Sequence, residues 1–234
     1  ISAILTIIIA GLGSWYMFND KAVYDSFKLG WASPFVSAVL GIASGVAIGK
    51  ITEYFTSTDY SPVKKLVKSA QDGPPFLITL GEALASKSAL APGLVISLSL
   101  LFSGTLCGIY GIAIASLGML SFVATTVSID AFGPIADNAG GIAESCHLPH
   151  EVRGITDALD AFGNTTAAIG KGFAIGSAAF ATASLIFAYV GSYAMNPADP
   201  LLNIANFKVL AGGIIGGSLV EFFASLLAEN TIHS

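Results

Sequence analysis

From Ser88 to Ile129 the chain carries no Asp, Glu, Lys or Arg. A hydrocarbon core of ~30 Å is crossed by ~20 apolar helical residues, so this one block accommodates two crossings. Inside lipid every backbone N–H and C=O must find a partner within the protein, which leaves helices or a closed barrel. Barrel strands are only about ten residues long. The block therefore reads as helix. Composition agrees: 11% of residues are charged and 54% are hydrophobic, where a soluble domain carries about 25% charged. The 26 glycines suit membrane helices, which associate through close packing of small residues. A net charge of −5 excludes the basic footprint of a nucleic-acid binder.

The expected fold is all-α, a multi-span transmembrane bundle. On the twenty-residue ruler there are about six spans: roughly 1–18, 33–55, 75–104, 108–137, 157–194 and 207–228. Lys50 and Glu53 lie near the end of the second span, where long side chains snorkel. Glu82 and Lys87 fall in the first half of the third. The fifth span exceeds what a bilayer needs, so its start projects into water. Segments 56–75, 138–156 and 229–234 then share one side of the membrane, and 19–30, 104–108 and 195–206 the other. Lys64, Lys65, Lys68 and Arg153 stand on the first side, against Lys21, Lys28 and Lys208 on the second. This bias points the first side to the cytosol.

The chain opens ISAILTIIIAGLGSWYMF, without Met or a basic leader, and stops soon after an apolar helix. That reads as a membrane helix cut at its start rather than a signal peptide. The expectation is a single membrane domain over 1–234 that is a piece of something longer. Cys107 and Cys146 read as ordinary thiols, and His147 and His150 as loop residues without metal-ligand spacing.

At the end of the uncharged block stands DAFGPIADNAGGIAE, residues 130–144. Asp130, Pro134, Asp137, Gly141 and Glu144 step by four, three, four and three, which is one helical face. At ~1.5 Å per residue, Asp130 and Asp137 lie ~10 Å apart along the axis, and Gly133-Pro134 is a place for a bend between them. Carboxylates at membrane depth are functional candidates because burying them is costly. The competing reading is a solvated helix end, which suits Glu144 best.

A second line runs through RGITDALDAFGNTTAAIGKGFAIGSAA, residues 153–179. Arg153, Asp157, Asp160, Asn164 and Lys171 share a face, with acceptors at the outer end and an ammonium deeper. Carboxylates plus Asn suit hard, oxygen-liganded cations such as Mg²⁺, and Lys suits phosphate. Arg153 with Asp157 is also an ordinary i, i+4 ion pair. GNTTAAIGKG fails as a phosphate loop: its glycine spacing is wrong, and Gly172 stands where Ser or Thr would hold Mg²⁺.

Three classes remain: an ion-translocating enzyme acting on a metal-phosphate substrate, a secondary cation transporter or channel, and a structural membrane protein. A cation path needs acids and amides but not Lys171 on the same face. A metal-bridged anion site needs both.

The two motifs resemble the membrane-bound, ion-pumping inorganic pyrophosphatases. GKITEYFTSTDYSPVKKL, 49–66, and YGIAIASLGMLSFVATTVSIDAFGP, 110–134, resemble the same family, and the likeness covers most of the chain from Trp31 to Ala194. It implies a homodimer of sixteen-helix subunits in the lipid bilayer, hydrolysing cytosolic pyrophosphate and moving Na⁺ or H⁺. Asp137 matches a Mg²⁺-ligating aspartate, Asn164 a metal- and substrate-binding Asn, and Lys171 a pyrophosphate-binding Lys. Asp130 matches an acidic position lower in the same helix; Asp157 and Asp160 are second-layer or pathway candidates. Ala167 and Gly170 match the potassium-dependent members, which implies stimulation by K⁺. The water-activating acids and most metal aspartates of the family would precede Ile1, and its last two inner helices would follow Ser234, so the chain alone is expected to be inactive. The loop through 145–172 looks more like bacterial Na⁺-pumping members, which implies a bacterial inner membrane.

Overall fold

The computed structural model describes residues 1–20, 27–121, 123–193 and 207–233. Among these there is no strand. Helix α1 spans Ser2–Phe18, α2 Ala32–Thr56 and α3 Ser61–Ser69. The helical run Pro74–Leu120 is broken at Cys107 and Gly108 into α4 (74–106) and α5 (109–120). Then come α6 (Val123–Asp130), α7 (Phe132–Ser145), α8 (His150–Tyr193) and α9 (Phe207–His233). The chain forms two compact units, Ile1–Ser184 and Leu185–Ser234. The all-α membrane architecture is as the sequence implies. Four stretches among the described residues are long and apolar enough to cross a bilayer: Ala32–Asp72, Pro74–Leu120, His150–Ser192 and Phe207–Asn230.

The long apolar block folds back on itself. Gly108 has φ +63°, a left-handed conformation that costs glycine little. A Cβ on Gly111 would overlap the carbonyl of Ser103, so the two legs touch backbone to backbone just past the turn. Pro74–Leu120 thus contains one whole crossing and the beginning of the next, which α6 and α7 complete. The turn falls inside the expected 104–108 connection. The Lys28 amide donates to Leu106 O at 3.0 Å, and the Phe18 and Tyr110 rings meet at 5.6 Å. The described part of 19–30 and the 104–108 turn therefore share one end of this unit, as expected. Lys21 and 195–206 lie outside the described residues, as does Ala194, the expected end of the fifth span.

In the first unit the helices meet through small residues. A Cβ on Gly41 would overlap the Ala115 carbonyl, and one on Gly118 the Ala38 carbonyl. These two contacts seat α2 on α5. Helix α8 is received by the same pair: Gly49 faces Phe173, Gly172 faces Thr52, and Gly176 faces Met119 and Ile48. The resulting core is Ile48, Ile112, Ala115, Met119, Phe173 and Phe180, with Ile48 at 1% and Phe180 at 0% exposure.

Polar pairs punctuate the α2–α4 contact. Ser37 Oγ lies 3.7 Å from Cys107 Sγ, and Ser44 bonds Ser99. Partners that step down one helix as they climb the other make the pair antiparallel. The hydroxyls also bond their own helices: Ser37 to Ser33 O at 2.9 Å, Ser44 to Leu40 O at 2.7 Å, Ser103 to Ser99 O at 2.6 Å. Both cysteines are free, Cys107 buried and Cys146 exposed.

Candidate functional site

The sequence places a bend at Gly133-Pro134; the helical interruption lies at Ala131, between α6 and α7. The reason is stereochemical. Proline has no N–H and its ring crowds the carbonyl four residues back, which for Pro134 is that of Asp130. The helix yields there rather than at the proline. Asp130 is the last residue of α6, and it lines the same cleft as Asp137.

Helix α7 ends in a six-to-one and five-to-two pair of hydrogen bonds: Leu148 N to Ala143 O at 3.0 Å and His147 N to Glu144 O at 3.0 Å. This closure needs a left-handed residue after the cap, usually glycine; His147 takes that role with φ +50°. His147 is a loop residue as expected, whereas His150 is the first residue of α8. The reversal returns α8 alongside α7, starting at His150, earlier than the expected Asp157.

The two helices cross at glycine. A Cβ on Gly163 would stand 2.7 Å from Gly133 Cα, so any side chain there would push the backbones apart. Phe132 and Phe162 meet edge to face beside the crossing, centroids 6.3 Å apart. The same four residues, Asp-Ala-Phe-Gly, occur at 130–133 and at 160–163, and each helix contributes one copy. This doubled tetrapeptide was the available signal for the crossing, and the sequence reading passed it over.

Above the crossing, Arg153 ties the helices. Its guanidinium donates to Gly140 O at 2.7 Å and Glu144 Oε2 at 2.9 Å on α7, and pairs with Asp157 at 2.7 Å on its own helix. The expected i, i+4 pair is therefore present, but Arg153 also does what spacing alone could not reveal. It absorbs Glu144 and Asp157 into a clamp at the exposed end of the hairpin.

Along the α7–α8 groove lie two adjoining clefts. The inner, of about 410 Å³, is lined by Asp130, Pro134, Asp137, Asn138, Asp160, Asn164, Ala167 and Lys171. The outer, of about 510 Å³, takes in Asp137, Asn138, Glu144, Arg153, Asp157 and Asp160. Asp137, Asn138 and Asp160 belong to both. So the inner cleft unites Asp130, Asp137, Asp160, Asn164, Ala167 and Lys171. Glu144 and Asp157 are confined to the outer one, and Gly170 lines neither. A Cβ on Gly170 would meet Thr126 at 3.8 Å, on α6. Asn138, which bonds Pro134 O at 2.6 Å, was missed; its i+4 spacing from Pro134 was the clue.

Asn164 Nδ2 donates to Asp160 Oδ2 at 3.1 Å, so its amide oxygen is the atom left to accept or ligate. Among the described residues Lys171, Asp130 and Asp137 form no ion pair. No three acidic, His or Cys side chains among those residues converge on one point. The donor set nonetheless fits Mg²⁺ in its usual manner. Mg²⁺ takes one or two carboxylates, keeps waters and completes its shell with substrate phosphates, rather than sitting in an all-protein cage. Lys171 stands at the inner end of this oxygen-rich cleft without an ion pair among the described residues, and an ammonium in such a place suits an anion such as phosphate.

A family model described as inorganic H⁺ pyrophosphatase matches residues 1–233. The chain belongs to that family. It is 47% identical, over 97% of its length, to the K⁺-stimulated pyrophosphate-energized sodium pump of Thermotoga maritima. It is 43% identical over 94% to a putative pump of the same description from Clostridium tetani, and 38% identical over 96% to the K⁺-insensitive pyrophosphate-energized proton pump 2 of Moorella thermoacetica. These alignments cover 32%, 33% and 34% of the relatives, so the chain spans about a third of their length. In this chain the α7–α8 hairpin, with Asp130 at the end of α6, carries both motifs that the sequence singles out.

Proposed function

We propose that this chain supplies the α7–α8 part of a membrane pump, with its site around residues 130–171 on the cytosolic side. The pump hydrolyses cytosolic Mg²⁺-pyrophosphate and couples the hydrolysis to transport of Na⁺, with H⁺ as the alternative cargo. The observation that carries this reading is the inner cleft, where an unpaired Lys171 shares a groove with Asp137, Asp160 and Asn164. A cation transporter or channel would have no use for that ammonium. In this reading Asp137 and the Asn164 amide oxygen hold Mg²⁺, and Lys171 binds a phosphate oxygen. Bound Mg²⁺ supplies charge neutralisation and alignment for in-line attack by water. Asp160 orients Asn164, and Asp130, at the end of α6, begins the ion path. Because the chain spans about a third of its relatives' length, the reading assigns the groups that activate water to helices outside these 234 residues, in a homodimeric pump of the bacterial inner membrane.

The test is radioactive-sodium uptake into inverted vesicles bearing the full natural protein. Uptake should start on adding pyrophosphate with Mg²⁺ and survive a protonophore. Uptake abolished by the protonophore would make H⁺ the cargo, and absence of pyrophosphate hydrolysis would overturn the reading altogether.

Potassium dependence belongs to the same proposal. Ala167 lines the cleft between Asn164 and Lys171, where a K⁺ ion can sit against phosphate. Replacing it with lysine fixes an ammonium in that position. Ala167→Lys should hydrolyse pyrophosphate without any acceleration by K⁺, and a K⁺ titration identical to wild type would contradict the assignment.

A further inference from the structure

Away from the α7–α8 groove, α3 leans across the outer part of α4. A Cβ on Gly81 would meet Leu66 at 3.9 Å. Between them and the end of α2 is a cleft of about 310 Å³, lined by Tyr54, Leu66, Leu80 and Leu84 and flanked by Lys65 and Lys87. Among the described residues neither lysine has an ion pair. Helix α3, SPVKKLVKS, has three lysines and no acid.

Its level in the membrane can be read from the chain. Lys87 is the last charge before the uncharged run, and the turn at Cys107 and Gly108 closes that leg. The intervening residues 88–106 rise ~28 Å at ~1.5 Å each, the thickness of a hydrocarbon core. Lys87 thus marks one interface, and its stem points back toward the helix N-terminus, away from the core. Tyr54 and Tyr60, with rings 5.4 Å apart, stand at the same end, where aromatic side chains collect at headgroup depth. Below the cleft the face of Leu84 and Lys87 continues through Leu94, Leu98 and Leu101, exposed by 55%, 52% and 65%.

We infer that this cleft binds one anionic phospholipid, its phosphate between Lys65 and Lys87 and an acyl chain along the leucine stripe. The arrangement matches each part of such a molecule: two ammonium groups without ion pairs among the described residues at headgroup depth, apolar walls beneath, and an exposed leucine track for an acyl chain. A zwitterionic lipid would bring its own cation to two lysines. Free phosphate would leave the leucine walls unused. The inference stands whether or not the hydrolytic reading does.

The test titrates the full natural protein in detergent with phosphatidylglycerol or phosphatidylcholine and counts bound lipid by native mass spectrometry. One phosphatidylglycerol should be retained in preference to phosphatidylcholine, and millimolar inorganic phosphate should not displace it. At about one kilocalorie for each interfacial lysine, Lys65→Gln with Lys87→Gln should weaken retention about 30-fold. Lys65→Arg with Lys87→Arg should keep it, as should Lys64→Gln with Lys68→Gln, which removes charge from the same helix outside the cleft. Equal binding of the two lipids, displacement by phosphate, undiminished retention in the Gln pair, or equal loss in the Lys64/Lys68 pair would each overturn the inference.

Discussion

Lys171→Ala and Asp137→Ala, each made in the full natural protein, should reduce pyrophosphate hydrolysis by at least about 10²-fold, the scale of losing one preorganised charge-stabilising contact. Insertion and folding should be unaffected. Neither side chain is buried, and neither has an ion pair among the described residues, so truncation strands no buried partner. The two variants should also differ. On the proposed roles, loss of Asp137 removes a metal ligand, so high Mg²⁺ should recover part of its activity, whereas loss of Lys171 removes a phosphate contact that added metal cannot replace. Turnover near wild type in either would sink the assignment, and identical responses to Mg²⁺ would remove the distinction between their roles.

The second large effect concerns assembly. Gly41→Val should destabilise the protein by about 3 kcal/mol or more, at or beyond the upper range for overpacking. A β-carbon at Gly41 coincides with the carbonyl of Ala115, and a helix backbone cannot rotate away as a side chain can. The seam must open, and the Ile48–Met119–Phe173 core with it. Gly93→Val is the control. It lies in α4 with nothing within 4 Å of its Cβ position, so it should be almost silent. The fraction folded through a denaturing-detergent titration reads both. Equal midpoints for the two variants would show that the α2–α5 contact does not hold the unit together.

Much of this architecture was legible in the sequence because lipid leaves so few choices. The Ser88–Ile129 block had to be helix and had to reverse, and a small-residue stretch around Gly104–Gly108 was where it could. Which glycines make contacts was not legible: Gly41 and Gly93 look alike in sequence, and only their neighbours distinguish them. The two polar faces were visible from their steps of three and four. Their convergence was not, since spacing within one helix says nothing of what stands opposite. Gly133 and Gly163 bring Asp137 and Asn164 into one groove, and the repeated Asp-Ala-Phe-Gly was the written trace of it. The interruption falls at Ala131, before Gly133-Pro134, because proline's steric effect reaches the carbonyl four residues before it, not only its own position.

The serine hydroxyls have a consequence for biogenesis. Ser37, Ser44 and Ser103 are buried in the assembled unit, yet each donates to a carbonyl of its own helix three or four residues back. A hydroxyl satisfied in this way does not have to wait for a neighbour before it leaves water. The α2 and α4 spans can therefore pass from the translocon into the bilayer with these hydroxyls already partnered. The contacts to Cys107 and Ser99 then form later, when helices that are already inserted find one another. In this protein the serines select which helices pair without obstructing their entry.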